Sequence, residues 1–558
     1  MSNTLKRTRV GEIPLLMAVA RRLGFYSLLR HYIKPHGNET YPAADTLMLL
    51  VFNIASGRQP LYELQRWTAS LDGRLIGDES ELSEGLFNDD RYGRALDKLF
   101  DADRAALGTD CALCVVRSAG LELDQVHNDS TTVKTTGKMP QRSPTGLSFE
   151  YGFSKDHRPD LKQIVFNLTV SADGAVPVHC KTCPGNRTDD TIHIETWSAV
   201  RDIAGRSDFL YVADSKLCTH SQLSFITGNG GRVVTMVPET WGEVREFKGS
   251  MRENPGGRKR ILRRPTPNRE GSFETFYRIG GGSETGDGYM MHWIYSTRKG
   301  ERDREAREKG LEAAELALAD ISGRLNRRNL KTREQIETRV EKILKKHRVL
   351  SFYDITINET RRSSEVQQGR GRPGKGTRYR REVKTEYSLG WGRNREALER
   401  EKNVDGIFPL LCTDKSVGAK EAVLAYKYQP RLEKRFEQLK SVHLAAPTLF
   451  KKTARVEAMM FLFFMALIIQ AVIEREVRRS MKAKKIEAIE VYPEHRLAYH
   501  PTTAKIFERF HDTSVYRVMR GDELEAEYRD DLSDVQREVL DLLGMTEQDY
   551  WGSLAQPG

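Results

Sequence analysis

The sequence predicts a mixed α/β fold with a helical N-terminal part and a large insertion, and three observations carry that prediction. Gln163–Ser171 (QIVFNLTVS) is a strongly apolar, β-branched run, followed by Asp173-Gly174 and a returning run Val176–His179, which together read as a hairpin. Two further apolar runs, Phe209–Ala213 and Val233–Val237, alternate with stretches of helical spacing, Thr191–Ile203 and Leu217–Thr227. Upstream, Leu121–Thr136 (LELDQVHNDSTTVKTT) starts as a strand marked by Leu121, Leu123 and Val126. It is expected to end at Asp129, ahead of a Ser-Thr-Thr turn.

The resulting order, β-β-β-α-β-α-β, is the connectivity of an RNase H-like core: a mixed five-stranded sheet with flanking helices. In that arrangement the first and fourth strands lie adjacent and parallel, so their C-terminal ends open into one crevice. Asp129 would end the first strand and Asp214 the fourth. Oxygen ligands presented from such a rim are what a hard cation such as Mg²⁺ requires. A single Asp after a strand is usually a turn former; two that meet at one sheet edge point to a site.

Composition sets the class of partner. The chain has 558 residues, 39% hydrophobic and 30% charged, enough to bury real cores in several domains and to exclude wholesale disorder. Lys and Arg outnumber Asp and Glu by 89 to 78, and a net charge of +11 points to an anionic polymer. The start, MSNTLKRTRVGEIPLL, has no apolar run of signal-peptide length, so a cytoplasmic location is expected. The most apolar segment, Ala458–Ile473, is short for a membrane span and flanked by Glu457 and Glu474, and reads as a buried helix. Cysteines stand at 111, 114, 180, 183, 218 and 412. The two CxxC pairs lie far apart (180 − 114 = 66), leaving buried reduced thiols or a shared zinc as readings and disfavouring a disulfide framework.

Five regions follow. Residues 1–115 read as a helical, DNA-binding domain, with helices over Ile13–Leu23, Thr46–Ile54, Tyr62–Leu71 and from Asp89 onward. Residues 116–240 are the first part of the core. Residues 241–400 are an insertion. It holds a hairpin (Phe273–Ile279 with Tyr289–Ser296) and a helical hairpin whose first arm spaces Leu311, Ala314, Leu318, Ile321 and Leu325 at 3-4-3-4. Within it, Arg361–Lys384 reads as a Gly-rich basic loop. Its Arg370 and Arg372 suit an A·T-rich minor groove, and a solvated linker is the other reading. Residues 401–480 are the second part of the core. Residues 481–558 form a C-terminal region in which Leu532–Leu543 is a candidate dimer-contact helix.

A third carboxylate stands in Tyr426–Leu444 (YKYQPRLEKRFEQLKSVHL). Pro430 fits a first helical turn, and Glu433, Phe436, Glu437 and Lys440 then share one face. Glu433 would complete a metal site, and an exposed amphipathic helix is the alternative. Here the chain resembles the DDE transposases of insertion sequences, in the cut-and-paste group with a Y-R-E-K signature. Tyr426, Glu433 and Lys440 match that signature; Gln429 stands where its Arg is expected, with Arg431 as the nearest substitute. Asp129-Ser130-Thr131 matches the family's first motif. Asp214 matches its second Asp, followed by Ser215-Lys216 where the family often has Arg-Gly. Lys155–Leu161, Gly185-Asn186, Tyr492-Pro493-Glu494 and Pro501-Thr502-Thr503 also resemble stretches common in these enzymes.

The resemblance implies two-metal phosphoryl transfer. Asp129, Asp214 and Glu433 would hold two Mg²⁺ ions, with Mn²⁺ as a possible substitute, to cleave transposon ends and join the 3′-OH ends to target DNA. It implies double-stranded DNA as partner and a homodimer in the DNA complex. Tyr426, Gln429, Arg431, Lys440 and Lys216 become DNA-contacting candidates, and Lys134 more loosely. It also accounts for the gap between Asp214 and Glu433 (433 − 214 = 219) as a strand-rich insertion, in which Trp293 would stack on a flipped base or pack in a core. Two rivals remain: a two-metal nuclease that cuts without joining, and a non-catalytic DNA-binding protein derived from a transposase.

Overall fold

A computed structural model describes residues 3–36, 39, 41–57, 59–76, 85–135, 142–152, 160–187, 192–266, 271–327, 329–442, 452–521, 523–552 and 554. The Lys155–Pro159 part of the motif noted above lies outside them. The first stretch comprises strand β1 (Asn3–Arg9) and helices α1 (Ile13–Arg22), α2 (Phe25–Tyr32), α3 (Ala43–Ala55), α4 (Leu64–Ser70), α5 (Asp89–Asp101) and α6 (Arg104–Ala119). Then come β2 (Gln125–Lys134), β3 (Gln163–Ser171), β4 (Pro177–Pro184), α7 (His193–Ala204), β5 (Leu210–Ala213), α8 (His220–Gly228) and β6 (Arg232–Met236). Next are α9 (Gly242–Glu253), β7 (Arg258–Pro265), β8 (Phe273–Glu284), β9 (Met290–Ser296), α10 (Thr297–Ser322) and α11 (Arg333–Lys346). They are followed by β10 (Tyr353–Gln367), β11 (Tyr379–Arg393), α12 (Arg395–Lys402) and β12 (Ile407–Cys412). The last stretch is α13 (Ala419–Tyr426), α14 (Gln429–Glu437), α15 (Thr453–Lys484), α16 (Thr503–Phe510), β13 (Ser514–Arg520), β14 (Glu523–Arg529), α17 (Asp534–Leu542) and α18 (Glu547–Gly552).

The chain forms two compact units, residues 1–235 with 423–558, and residues 236–422. Both are mixed α/β. In the first, strands run in the order β4-β3-β2-β5-β6. β2 pairs antiparallel with β3 and β3 with β4, while β2–β5 and β5–β6 are parallel. The β3–β4 turn at Asp173-Gly174 needs a left-handed backbone, which Gly174 supplies at φ +84°. Gly185, just past β4, lies so close to the Gln163 carbonyl that a Cβ would collide with it. This gives a steric reason for glycine there.

β2 departs from expectation. It runs through Ser130, Thr131 and Thr132 to Lys134, so Asp129 is mid-strand, level with Leu168 of β3. In the Ser-Thr-Thr run read as a turn, Thr131 and Thr132 are β-branched and, with Val133, continue the strand. Asp129 still stands at a rim, because β2 meets β5 only over Gln125–His127 and β5 stops at Ala213.

α15 is the axis of this unit. It is long and apolar enough to cross a membrane by length and composition, yet it is buried here. Helices α1, α3, α5, α6, α16 and α17 and strand β4 pack on it. The N-terminal helices are therefore built into this core, where a separate domain was expected. α5 starts on its Asn88 cap with Asp89 and Asp90 in the first turn, as the helix dipole favours. β1, missed in a stretch expected to be helical, pairs with β13, and β13 pairs with β14. Leu532, Val539, Leu540, Leu542 and Leu543 are buried within this chain. The apolar face expected to contact a second copy is already covered.

In the second unit the strands run β12-β9-β8-β7, all antiparallel. Because β12 pairs with β9, this unit extends to Ala422, where 400 was expected as its end. The helical hairpin is α10 with α11, its seam made by Leu311, Ala314, Leu318, Ile336 and Val340. Most of Arg361–Lys384, expected as a loop, belongs to a two-stranded ribbon of β10 and β11. Ser, Arg and Glu on both faces hide the alternation by which a half-buried strand is recognised.

Candidate active site

Three elements of the first unit carry the candidate carboxylates. β2 and β5 are in parallel register, His127 opposite Val212. Extended two residues past the last paired position, that offset would bring Asp129 level with Asp214 (212 − 127 = 214 − 129 = 85). Asp214 caps the turn after β5, its Oδ1 accepting from the Lys216 backbone N–H at 3.0 Å. Thr235 on β6 donates to the Asp214 carbonyl at 2.7 Å.

α14 supplies Glu433 and lies against β2. Gln429, in its first turn, is buried and uses both ends of its amide on that strand. Its Nε2 donates to the Asn128 carbonyl at 3.0 Å, and its Oε1 lies 3.0 Å from His127 Nδ1. An amide oxygen only accepts, so His127 carries its proton on Nδ1. Nε2 of the imidazole then accepts from Gln125 Nε2 at 2.8 Å. Burial pulls His127 down to about 4, and its bond to Gln429 opposes the shift only in part. A neutral imidazole is therefore locked between strand and helix. Tyr428 stacks on it at 4.7 Å, and the exposed Arg431 guanidinium lies 5.2 Å over Tyr428. Glu433 is one helical turn beyond Gln429, as Asp129 is one strand period beyond His127.

Tyr426 lies within the electrostatic reach of all three acids. Burial first, then the negative charges of Asp214, Glu433 and Asp129, push its phenol up to about 12. One hydroxyl feels all three acids, which are 85 and 219 residues apart along the chain (214 − 129 and 433 − 214). Asp129 and Asp214 are half-buried and Glu433 is exposed, so the cluster is open to a large substrate. Its donors are all oxygen, the chemistry a hard divalent cation prefers. Among the described residues, no group of three or more His, Cys, Asp or Glu is gathered tightly enough to hold a metal ion. The six cysteines are free, and burial is the largest cause raising Cys111, Cys114 and Cys180.

The far end of α14 is fixed by a buried ion cluster that sequence reasoning missed. Arg435 donates to the Ala175 and Gly174 carbonyls at 3.0 and 3.1 Å, and its Nη1 lies 3.0 Å from Glu474 of α15. Glu474 also faces Arg478 at 3.4 Å and accepts from the Thr503 backbone N–H at 3.1 Å. Burial pushes the Glu474 carboxyl up, but Arg435, Arg478 and the Thr503 amide together hold it below the usual range. The sequence signal was present in Glu474, an acid beside an apolar helix, and was read only as a flank.

Other expected residues fall elsewhere. Lys216 and Arg431 are exposed, and Lys134 is half-buried at the end of β2. Lys440 lies in a π-helical turn, Gln438–Val442, which breaks the seven-residue α-helical spacing from Glu433. Phe436 is buried while Glu433 and Glu437 are exposed, so these do not share one environment. Gln429, expected to touch DNA, faces the sheet. An arginine there would place a charge against a neutral buried imidazole. Trp293, expected to stack on a base, is 3% exposed and lies parallel to Phe247 at 3.7 Å, with Nε1 donating to Ser283. Arg370 and Arg372 are exposed at the tip of the β10–β11 ribbon.

Two outcomes follow. Gln429→Leu strands the His127 Nδ1–H and the Asn128 carbonyl, costing about 2–4 kcal/mol. It lowers turnover more than DNA affinity, read as urea midpoint and single-turnover rate. Trp293→Ala destabilises the second unit by about 3–5 kcal/mol, read by thermal unfolding, and leaves DNA affinity of the folded protein unchanged.

A family profile described as Domain of unknown function (DUF4277) matches residues 5–113. Among solved structures, a piggyBac transposase synaptic complex with hairpin DNA is similar over 89% of this chain and 79% of that chain, at 8% identity and a TM-score of 0.34. No curated protein matches the chain.

Proposed function

We propose that the chain is a DNA transposase of the DDE insertion-sequence kind, with an RNase H-like catalytic core, acting on double-stranded DNA in the cytoplasm. It cleaves the ends of an insertion sequence and joins the freed 3′-OH ends to target DNA. The observation that supports this most is that Asp129, Asp214 and Glu433 act together on the Tyr426 phenol at the edge of parallel strands. The three carboxylates would hold two Mg²⁺ ions, with Mn²⁺ as substitute, which when bound lower the pKa of a water and neutralise a departing 3′ oxygen.

The protein's own groups do the positioning. Gln429 and Arg435 fix the two ends of α14, and so set the position of Glu433. Tyr426 stays protonated at neutral pH and offers a hydrogen bond to the phosphodiester. Lys216, Arg431 and Lys440 neutralise backbone phosphate, so binding weakens steeply with salt. No Tyr or Ser nucleophile is required, and two chains pair the two ends in a homodimer.

The test starts from the DNA flanking the gene, where short inverted repeats are expected. A duplex ending in that repeat with a pre-cut 3′-OH should then be joined to a target plasmid. Cutting without joining would make the chain a nuclease, and binding without either would make it a non-catalytic relative.

A further inference from the structure

The second unit carries a feature that the catalytic reading does not use. β10 and β11 pair over fifteen positions, from Tyr353 opposite Arg393 to Gln367 opposite Tyr379, and among the described residues they pair only with each other. At about 3.3 Å per residue this is a ribbon of roughly 50 Å. Its base is held. Tyr353, Ile357 and Leu389 join the core of the α10–α11 hairpin, and Asn326 exchanges two hydrogen bonds with the Tyr387 backbone.

Beyond residue 360 the character changes. Between 361 and 384 nearly every residue is exposed, and the stretch holds nine Lys or Arg against two Glu. That net +7 in 24 residues is most of the chain's net +11. Cross-strand pairing sets Arg362 opposite Lys384, with Glu386 beside Arg362 at 3.3 Å; four positions nearer the tip Arg380 stands opposite Val366, next to Arg381 opposite Glu365. Neighbouring cations destabilise a ribbon on its own. A two-stranded ribbon with no covering layer is marginal in water. Both costs are offset when a polyanion lies along it. The tip closes through a turn, Thr377 N–H to the Gly374 carbonyl at 3.0 Å, so Arg370 and Arg372 are presented at ribbon width. That width suits the major groove, which admits a two-stranded ribbon, better than the narrow minor groove.

We infer that the distal β10–β11 ribbon is a DNA-binding arm that lies in the major groove of duplex DNA. The inference rests on the transposase reading only for the choice of duplex DNA as the polyanion. It adds a binding surface remote in sequence from the three carboxylates.

The test measures binding of the full-length chain to a fluorescent mixed-sequence duplex in EDTA, so that catalysis plays no part. One variant replaces Arg362–Lys384 by Asn-Gly, leaving Arg361 and Thr385 to close a short hairpin on the intact base. A second keeps the ribbon and carries Arg362→Gln, Arg380→Gln and Lys384→Gln. The triple variant should bind at least about tenfold more weakly. Its log K against log salt slope should fall by about 3 between roughly 50 and 200 mM, close to one per lost phosphate contact. Guanine N7 protection from dimethyl sulfate should disappear with the truncation. Unchanged affinity and slope in both variants overturn the arm. Unchanged N7 protection, or displacement by a minor-groove ligand alone, overturns the groove. A ribbon-dependent dimer without DNA, with duplex affinity intact, assigns the surface to a second copy and also overturns it. Because no step depends on turnover, failure here leaves the strand-transfer reading to its own assay.

Discussion

Asp129→Asn removes end cleavage and strand transfer by a factor of at least about 10³, the several kcal/mol that correct charge placement at a phosphoryl centre supplies. Asp214→Asn and Glu433→Gln do the same, and combining them costs little more, because the three act as one unit. Stability moves the other way. All three acids raise the Tyr426 phenol. Neutralising one relieves like-charge repulsion, so the midpoint of urea unfolding is unchanged or higher. The Tyr426 phenol also falls from about 12 toward its ordinary value, though only partway, because burial is its largest cause. Single-turnover rates, urea midpoints and a tyrosinate absorbance titration against Tyr426→Phe check all three outcomes. A loss of activity that tracks a loss of stability would mark Asp129 as structural.

Glu474→Ala costs about 3–5 kcal/mol of stability, because it leaves Arg435 buried without its counter-ion. Arg435 is 4% exposed and ties α14 to the β3–β4 turn, so its displacement also moves Glu433. Turnover falls with stability, and DNA affinity much less. Glu474→Gln keeps the Thr503 contact and is milder. The pH dependence has a defined sign. The folded Glu474 carboxyl is held below its unfolded value, so its stabilisation is present above the ordinary Glu range and lost as pH falls through the depressed value. His127 adds to the same limb: unfolded it takes a proton near 6.5, folded only near 4, so stability declines as pH drops between them. Urea midpoints should therefore fall with pH below 6.5, through His127, and below 4.5 should fall further in the native chain than in Glu474→Gln. A flat profile would sink the buried-pair account.

How much could be read beforehand follows the physics of each residue. The apolar strands β3, β5 and β6 were legible because burial on both faces leaves continuous Val, Ile, Leu and Phe. The α10–α11 hairpin was legible because its seam repeats at helical spacing. β1, β13 and the β10–β11 ribbon were not, since they are rich in Arg, Glu and Thr that solvent accepts in strand or loop alike. In the site, Asp129, Asp214 and Glu433 were put forward as a set, but the turn expected after Asp129 is strand, because Thr131, Thr132 and Val133 extend β2. Gln429 was misread because its chemistry suits a phosphate as well as a sheet, and only its burial against His127 decides between them. Trp293 stood between two readings for the same reason: an indole serves a base or a core equally, and its burial against the parallel Phe247 selects the core.

The most direct measurement is a Mn²⁺ titration, followed by electron paramagnetic resonance, of the chain bound to a duplex ending in its flanking repeat. Two ions per chain should bind in the native protein, and both should be lost when Asp129→Asn and Glu433→Gln are combined. Two ions that persist in that variant, or none in the native complex, would contradict a shared carboxylate site.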